Sequence, residues 1–227
     1  MKYPIFNILT ILFFGVNFLL NAQTTNPIDT VKKLPDLIKI SSTTKWEEVK
    51  NENGIKIYYR DISKENLFST REIKVNLLVG SDLNNFLNHL KNDEKHLTWN
   101  KGMKSIKTYE KKDSSWISKL VYDIPFPLNK QDLIVQNKIE KNNGNTMVHI
   151  YSIPNYLPQE KKIDRIKHYL GCWELKETTS GLFITYRAIT ISKSFIPKFL
   201  KDPLIQNNLM KSFNNLKNMV EISEVVN

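Results

Sequence analysis

The sequence predicts an α+β fold, an antiparallel β-sheet with one long C-terminal helix laid against its inner face. Three observations carry the prediction. Stretches with apolar and polar residues in alternation recur from residue 55 to residue 192. Most are joined by short polar turns, such as "KKDSS", "KNNGN" and "TTSG", which leave no room for a crossover helix and so make successive strands antiparallel. The closing stretch changes period: Ile205, Leu209, Phe213, Leu216 and Val220 recur at steps of four, four, three and four, the spacing of an amphipathic helix.

Taken in order, the chain opens with "MKYPIFNILTILFFGVNFLLNAQ", in which one Lys precedes an apolar run that ends in Asn21, Ala22 and Gln23. This is the layout of a cleaved secretory signal peptide over residues 1–23, and it predicts an exported protein, periplasmic or secreted. Asn7, Thr10, Gly15 and Asn17 interrupt the run, which weakens it as a permanent span. Residues 24–44 are polar, carry Pro27 and Pro35, and read as a linker with a short helix. "TTKWEEVKNENG" then reads as a helix start carrying Trp46 and Val49, closed by a turn at Gly54.

Strands are expected at 55–60 and 67–79, the second with Ile73, Val75, Leu77 and Val79 on one face. Ser81 or Asp82 caps a helix whose Leu83, Phe86, Leu87 and Leu90 share a side. Further strands are expected at 103–111, 115–124, 133–141, 145–153, 163–177 and 182–192, and Asp202 with Pro203 is a fitting start for the last helix.

Composition narrows the function. The formal net charge is +10, and +9 once Lys2 leaves with the signal. Nucleic acid is not the expected partner: only Arg60, Arg71, Arg165 and Arg187 are arginines, the residue that dominates bidentate phosphate and base contacts. The scattered lysines read as a solvated surface with loose attraction to anionic lipid head groups. Cys172 is alone, so no internal disulfide forms, and it reads as a small buried hydrophobe.

The chain lacks a phosphate-cradling glycine loop, a nucleophile elbow and a paired-cysteine metal site. His89, Asp93 and His96 stand at i, i+4 and i+7 and could share a helix face around a metal, but that spacing more often marks a solvated face, and no metal is assigned. His149 alternates with Met147, Tyr151 and Ile153 and is expected on the inner face, bonded to a core residue or aimed at a ligand. Arg187 shares a face with Phe183, Thr185 and Ile189 and needs a carboxylate, with Asp123, Asp132 and Glu174 as candidates. No residue compels a catalytic assignment and no cofactor is implied.

One connection stands out. "DIPFPLNKQD" sets Ile124, Phe126 and Leu128 around two prolines, too apolar for an ordinary surface turn. Together with "WEEVKNENGIKIYYRD", Trp99, "YLGCWEL" and "SFIPKFLKD" before a long helix, this stretch resembles the START (steroidogenic acute regulatory protein-related lipid transfer) domain, in a bacterial exported form, within the wider helix-grip and polyketide cyclase-like superfamily. The resemblance runs over residues 46–220 and makes 45–227 a START-like lipid-binding domain. It implies a helix-grip fold, a curved antiparallel sheet wrapped around the C-terminal helix with an apolar cavity between them. It also implies non-catalytic binding or transfer of a lipid, sterol or other hydrophobic small molecule by a monomer. Where the family often has Arg-Asp, this chain has Gln131 and Asp132, with Lys130 as a possible substitute for the arginine.

On that basis Tyr122, Leu133, Val135, His149, Tyr151, Trp173, Tyr186 and Arg187 are expected to contact the ligand. Ile124, Phe126, Leu128, Phe195, Ile196, Phe199 and Leu200 are expected to form its gate. Two alternatives keep the fold: a cyclase- or aromatase-like enzyme using His149, Asp123 or Arg187 as acid or base, and an interaction module with no cavity. The volume and polarity of the space between sheet and helix discriminate among the three.

Overall fold

The computed structural model describes residues 30–123, 130–142, 144–191 and 198–225. Its elements run α1 (Leu34–Lys39), β1 (Ser42–Thr43), β2 (Glu47–Glu52), β3 (Ile55–Lys64), β4 (Phe68–Val79), α2 (Leu83–Lys91) and α3 (Asp93–Trp99). They continue with β5 (Met103–Tyr109), β6 (Ser115–Tyr122), β7 (Lys130–Asn142), β8 (Asn145–Ser152), β9 (Ile163–Arg165), β10 (His168–Thr178), β11 (Gly181–Ile191) and α4 (Lys198–Val225). Among the described residues the eleven strands form one open sheet in the order β1-β3-β4-β11-β10-β8-β7-β6-β5, with β2 on β3 and β9 on β7. Its pairings are antiparallel except β7 with β9. The predicted α+β, helix-grip class is the class observed.

Local chemistry explains most elements. The Asp82 side chain accepts a hydrogen bond from the Asn85 amide at 2.8 Å and caps α2, whose Phe86, Leu87 and Leu90 are buried. Asn92 caps α3 by accepting from the Lys95 amide at 2.9 Å. That junction breaks the run on which His89, Asp93 and His96 would have shared one face: His89 Nδ1 meets the Asn85 carbonyl, and Asp93 bonds Thr108. Among the described residues no group of three or more His, Cys, Asp or Glu could hold a metal ion.

Three expectations are corrected. Residues 47–52 form strand β2 rather than a helix. The reason lies in Asn53 and Gly54, whose φ values of 54° and 76° make the two-residue Asn-Gly turn that closes a hairpin. The single strand expected at 163–177 is split into β9 and β10, because Arg165 leaves the β10 ladder to anchor β9 beside β7. The last helix begins at Lys198, so Pro203 lies inside it, and Asp202 pairs with Arg71 at 2.5 Å instead of capping. The segment 24–44 also does more than link. Helix α1 packs Leu34 and Leu37 onto Ile62, Phe68, Leu170, Cys172 and Ile189 on the outer face of the sheet, and β1 pairs with β3.

The inner face carries the main core. Val75, Leu77, Val148, Leu175 and Ile184 meet Met210, Phe213, Leu216 and Val220 of α4, and α2 closes one end. Burial of four large side chains on α4 contributes on the order of 6–12 kcal/mol before entropy is counted. Among the described residues no helix is long and apolar enough to cross a membrane.

Candidate functional site: a cavity between sheet and terminal helix

The sheet and α4 do not close on one another completely. A cavity of about 280 Å³ lies between them. Its floor is built by alternate residues of three neighbouring strands: Trp116, Ser118, Leu120 and Tyr122 of β6, Leu133, Val135 and Asn137 of β7, and Ile150 of β8. Tyr169, Trp173 and Tyr186 come from β10 and β11. Ile205, Asn208, Leu209, Ser212 and Phe213 of α4 form the roof. Leu90, His96, Trp99, Asn100 and Lys101, at the end of the helical pair α2 and α3, close one side.

The aromatic wall is continuous. The Trp173 ring centroid lies 4.5 Å from Tyr186, 5.5 Å from Phe86, 5.8 Å from Phe213 and 6.3 Å from Trp99. Such offset and edge-on pairs add to the area they bury. The wall also carries polar atoms: the Tyr169 and Tyr186 hydroxyls are bonded at 2.6 Å, and Ser212 accepts from the Lys101 amide at 2.9 Å. Burial pushes the Tyr122, Tyr169 and Tyr186 phenols up, so all three are neutral.

His96 stacks on Trp99 with ring centroids 4.6 Å apart. The residue is half-buried, yet its Nδ1 and the Trp99 Nε1 are buried with no partner among the described residues. Burial lowers the His96 pKa to about 4, against weaker opposition from the Leu90 carbonyl and Asp93. A folded pKa below the unfolded value of 6.5 means that the unfolded chain binds more protons between those limits, so stability is lost as pH falls from about 6.5 towards 4. Allowing for the ring's partial exposure, His96 should cost about 1–2 kcal/mol between pH 7 and pH 5. Urea unfolding of wild type and His96→Gln at the two pH values measures this, and an acid sensitivity unchanged by the substitution would refute it.

Of the ligand contacts expected from sequence, Tyr122, Leu133, Val135, Trp173 and Tyr186 line the cavity. His149, Tyr151 and Arg187 do not. The phase of β8 is opposite to the one expected: Val148 and Ile150 face inward, while His149 pairs across β10 with Cys172 and lies outside under α1. There its Nε2 is 3.5 Å from Glu140, and Lys33 pairs with the same carboxylate. Burial lowers the His149 pKa, and Lys33 adds to the shift. Because α1 covers the outer face, both faces of β8 are buried, and hydrophobic alternation carries no phase.

Arg187 and Tyr186 are consecutive and must point to opposite faces, and Tyr186 takes the inner one. Arg187 instead pairs with Glu72 at 2.6 Å, on the far side of the sheet from the cavity. That carboxylate is fully buried and also binds Arg60 at 2.6 Å. None of Asp123, Asp132 and Glu174 is the partner. Asp132 is held by Arg165, Asp123 lies 4.0 Å from Lys130, and burial pushes the Cys172 thiol up to about 12.

On the strands, sequence reasoning missed Trp116, Ser118, Leu120, Asn137, Ile150 and Tyr169. A signal was present for five of them: Trp116, Ser118 and Leu120 step by two from Tyr122, Asn137 steps by two from Val135, and Tyr169 steps by four from Trp173. Of the expected gate, Ile124, Phe126, Leu128, Phe195 and Ile196 lie outside the described residues. Phe199 and Leu200 fall in the first turn of α4, and their side chains also lie outside the described set.

Fold and site together define a helix-grip protein with an aromatic-walled apolar cavity. No family model matches the chain. It is 25% identical over 181 residues to an uncharacterized protein of Pseudomonas aeruginosa, covering 78% of this chain and 87% of that one. Among solved structures it is similar to a STAR-related lipid transfer protein fragment from Xanthomonas axonopodis, with a TM-score of 0.69, 20% identity, and coverage of 78% of this chain and 99% of that one. It is also similar to human StAR-related lipid transfer protein 5, with a TM-score of 0.64, 11% identity, and coverage of 79% and 88%. The chain therefore has the START-domain fold that the motifs anticipated.

Proposed function

We propose that the protein is a non-catalytic binding protein for a hydrophobic small molecule, which it holds between sheet and α4 and passes on or stores. The observation that carries this reading is the cavity of about 280 Å³ with its aromatic and aliphatic walls. Ligand sites range from about 300 to 1,000 Å³ and are mostly apolar with a few placed polar groups, so this one sits just below the small end. At about 30 Å³ per water-sized unit it holds roughly nine such units, the size of a ligand with ten or so heavy atoms. Ten buried methylenes would supply on the order of 8 kcal/mol gross.

The fold of the solved lipid transfer structures supports the same reading. So does the placement of two of the three acid and base candidates: His149 and Arg187 sit on the far side of the sheet from the cavity. Within this proposal the segments containing Ile124, Phe126, Leu128, Phe195 and Ile196, with Phe199 and Leu200, act as the gate. The signal at residues 1–23 directs export, the chain works as a monomer, and the basic surface gives transient contact with anionic membranes.

Mass spectrometry of an organic extract of the purified protein tests the proposal, alongside uptake followed by the fluorescence of Trp99, Trp116 and Trp173. Val135→Phe should fill the cavity and cut affinity for any extracted amphiphile at least tenfold while leaving the melting temperature unchanged or higher. No co-purifying amphiphile and no fluorescence response would sink the reading.

A further inference from the structure

Among the described residues, one pair of hydroxyls at the cavity leaves a proton unused. The Tyr169 and Tyr186 oxygens are 2.6 Å apart. Each phenol carries one proton, so one bond between them consumes one of the two. Among the described residues these hydroxyls are bonded only to one another. The second proton therefore has no acceptor among the described residues, and both residues line the cavity. Tyr122 lines it too, close enough that it and Tyr186 both raise the Tyr169 pKa.

The pair is built at a cost. Gly171 sits inside β10, where glycine weakens a strand and commonly marks close approach of another group. A Cβ there would stand 2.9 Å from the Tyr169 hydroxyl and 3.2 and 3.3 Å from two ring carbons. The missing side chain lets the Tyr169 ring lie along the sheet. Its Cα is level with Thr190, and its hydroxyl reaches Tyr186, which is level with Trp173. Gly171 thus holds the hydroxyl in place.

We propose that the Tyr169–Tyr186 pair is a preorganised hydrogen-bond donor for a neutral carbonyl oxygen, so that the occupant is an amphiphile with a ketone, ester or protonated carboxyl end. This rests on the cavity reading above. A plain hydrocarbon would leave the donor unsatisfied. An ionised carboxylate would need a buried cation, and the cationic side chain at the cavity, Lys101, is exposed.

Decane and 2-decanone, both of a size the cavity accepts, test the assignment by quenching of the cavity tryptophans. The double variant Tyr169→Phe with Tyr186→Phe should weaken 2-decanone binding about three- to tenfold and leave decane unchanged. Gly171→Ala, which keeps both hydroxyls but displaces Tyr169, should do the same. In the unaltered protein the carbonyl stretching band of bound 2-decanone should lie below its frequency in liquid decane, a readout that needs no variant. An unshifted band, or equal effects on both compounds, overturns this proposal alone. Failure of wild type to take up either compound overturns the cavity reading, and the proposal with it.

Discussion

Replacing Asp132 with alanine is expected to lower the free energy of unfolding by about 3–5 kcal/mol, the cost of leaving a buried charge without its partner. Asp132 is fully buried and the Arg165 side chain is 2% exposed. Their contact is bidentate, with Arg165 Nε and Nη2 donating to the two carboxylate oxygens at 2.8 and 2.6 Å. Arg165 also donates to the carbonyls of Pro154 at 2.7 Å and Leu157 at 2.5 Å, so a single guanidinium ties β7, β9 and the 154–158 loop together. In Asp132→Ala the guanidinium keeps only carbonyl partners. In Arg165→Ala the carboxylate keeps Lys119 at 3.9 Å, so the loss should fall at the lower end of the range.

The double variant should cost less than the sum of the singles, because neither charge is then stranded. Urea unfolding of the three variants forms the cycle, and additive losses would refute the coupling. The pair also supplies the guanidinium that Gln131 does not: the arginine arrives from β9, a strand more than thirty residues later in the chain.

That substitution shows what the sequence could and could not convey. Most of the element order was legible because period and capping chemistry are local: the Asp82 cap and the stripe on α4 each act within a few residues, whereas the hairpin that Asn53-Gly54 closes was read as a helix and a turn. Tyr122 was legible because Lys119 and Val121 leave the outer face of β6 partly exposed, whereas Leu133 and Trp173 were placed correctly although Ile134 and Cys172 bury the outer face beside them. On β8 the signal failed because α1, more than a hundred residues earlier, buries the outer face and makes His149 as buried as Val148. Pairings across the sheet, Arg187 with Glu72 and Arg165 with Asp132, depend on register between distant strands, which no local pattern encodes.

Trp173→Ala should be the most informative change within the cavity, because it alters stability and ligand size together. The side chain is 5% exposed and touches Phe86, Trp99, Tyr186 and Phe213, so its removal should cost about 3–5 kcal/mol. Most of that cost comes from empty space, and empty space contiguous with the existing cavity can be refilled from solution. A ligand that fits the enlarged site at a hundred times its dissociation constant restores about 2.7 kcal/mol. A ketone four carbons longer than 2-decanone should therefore raise the melting temperature of Trp173→Ala more than that of wild type, reversing the order expected with 2-decanone itself. Circular dichroism melts at equal free ligand concentration measure both effects. A variant that loses stability and recovers it equally with either ketone would mean that Trp173 braces the core without bounding the ligand.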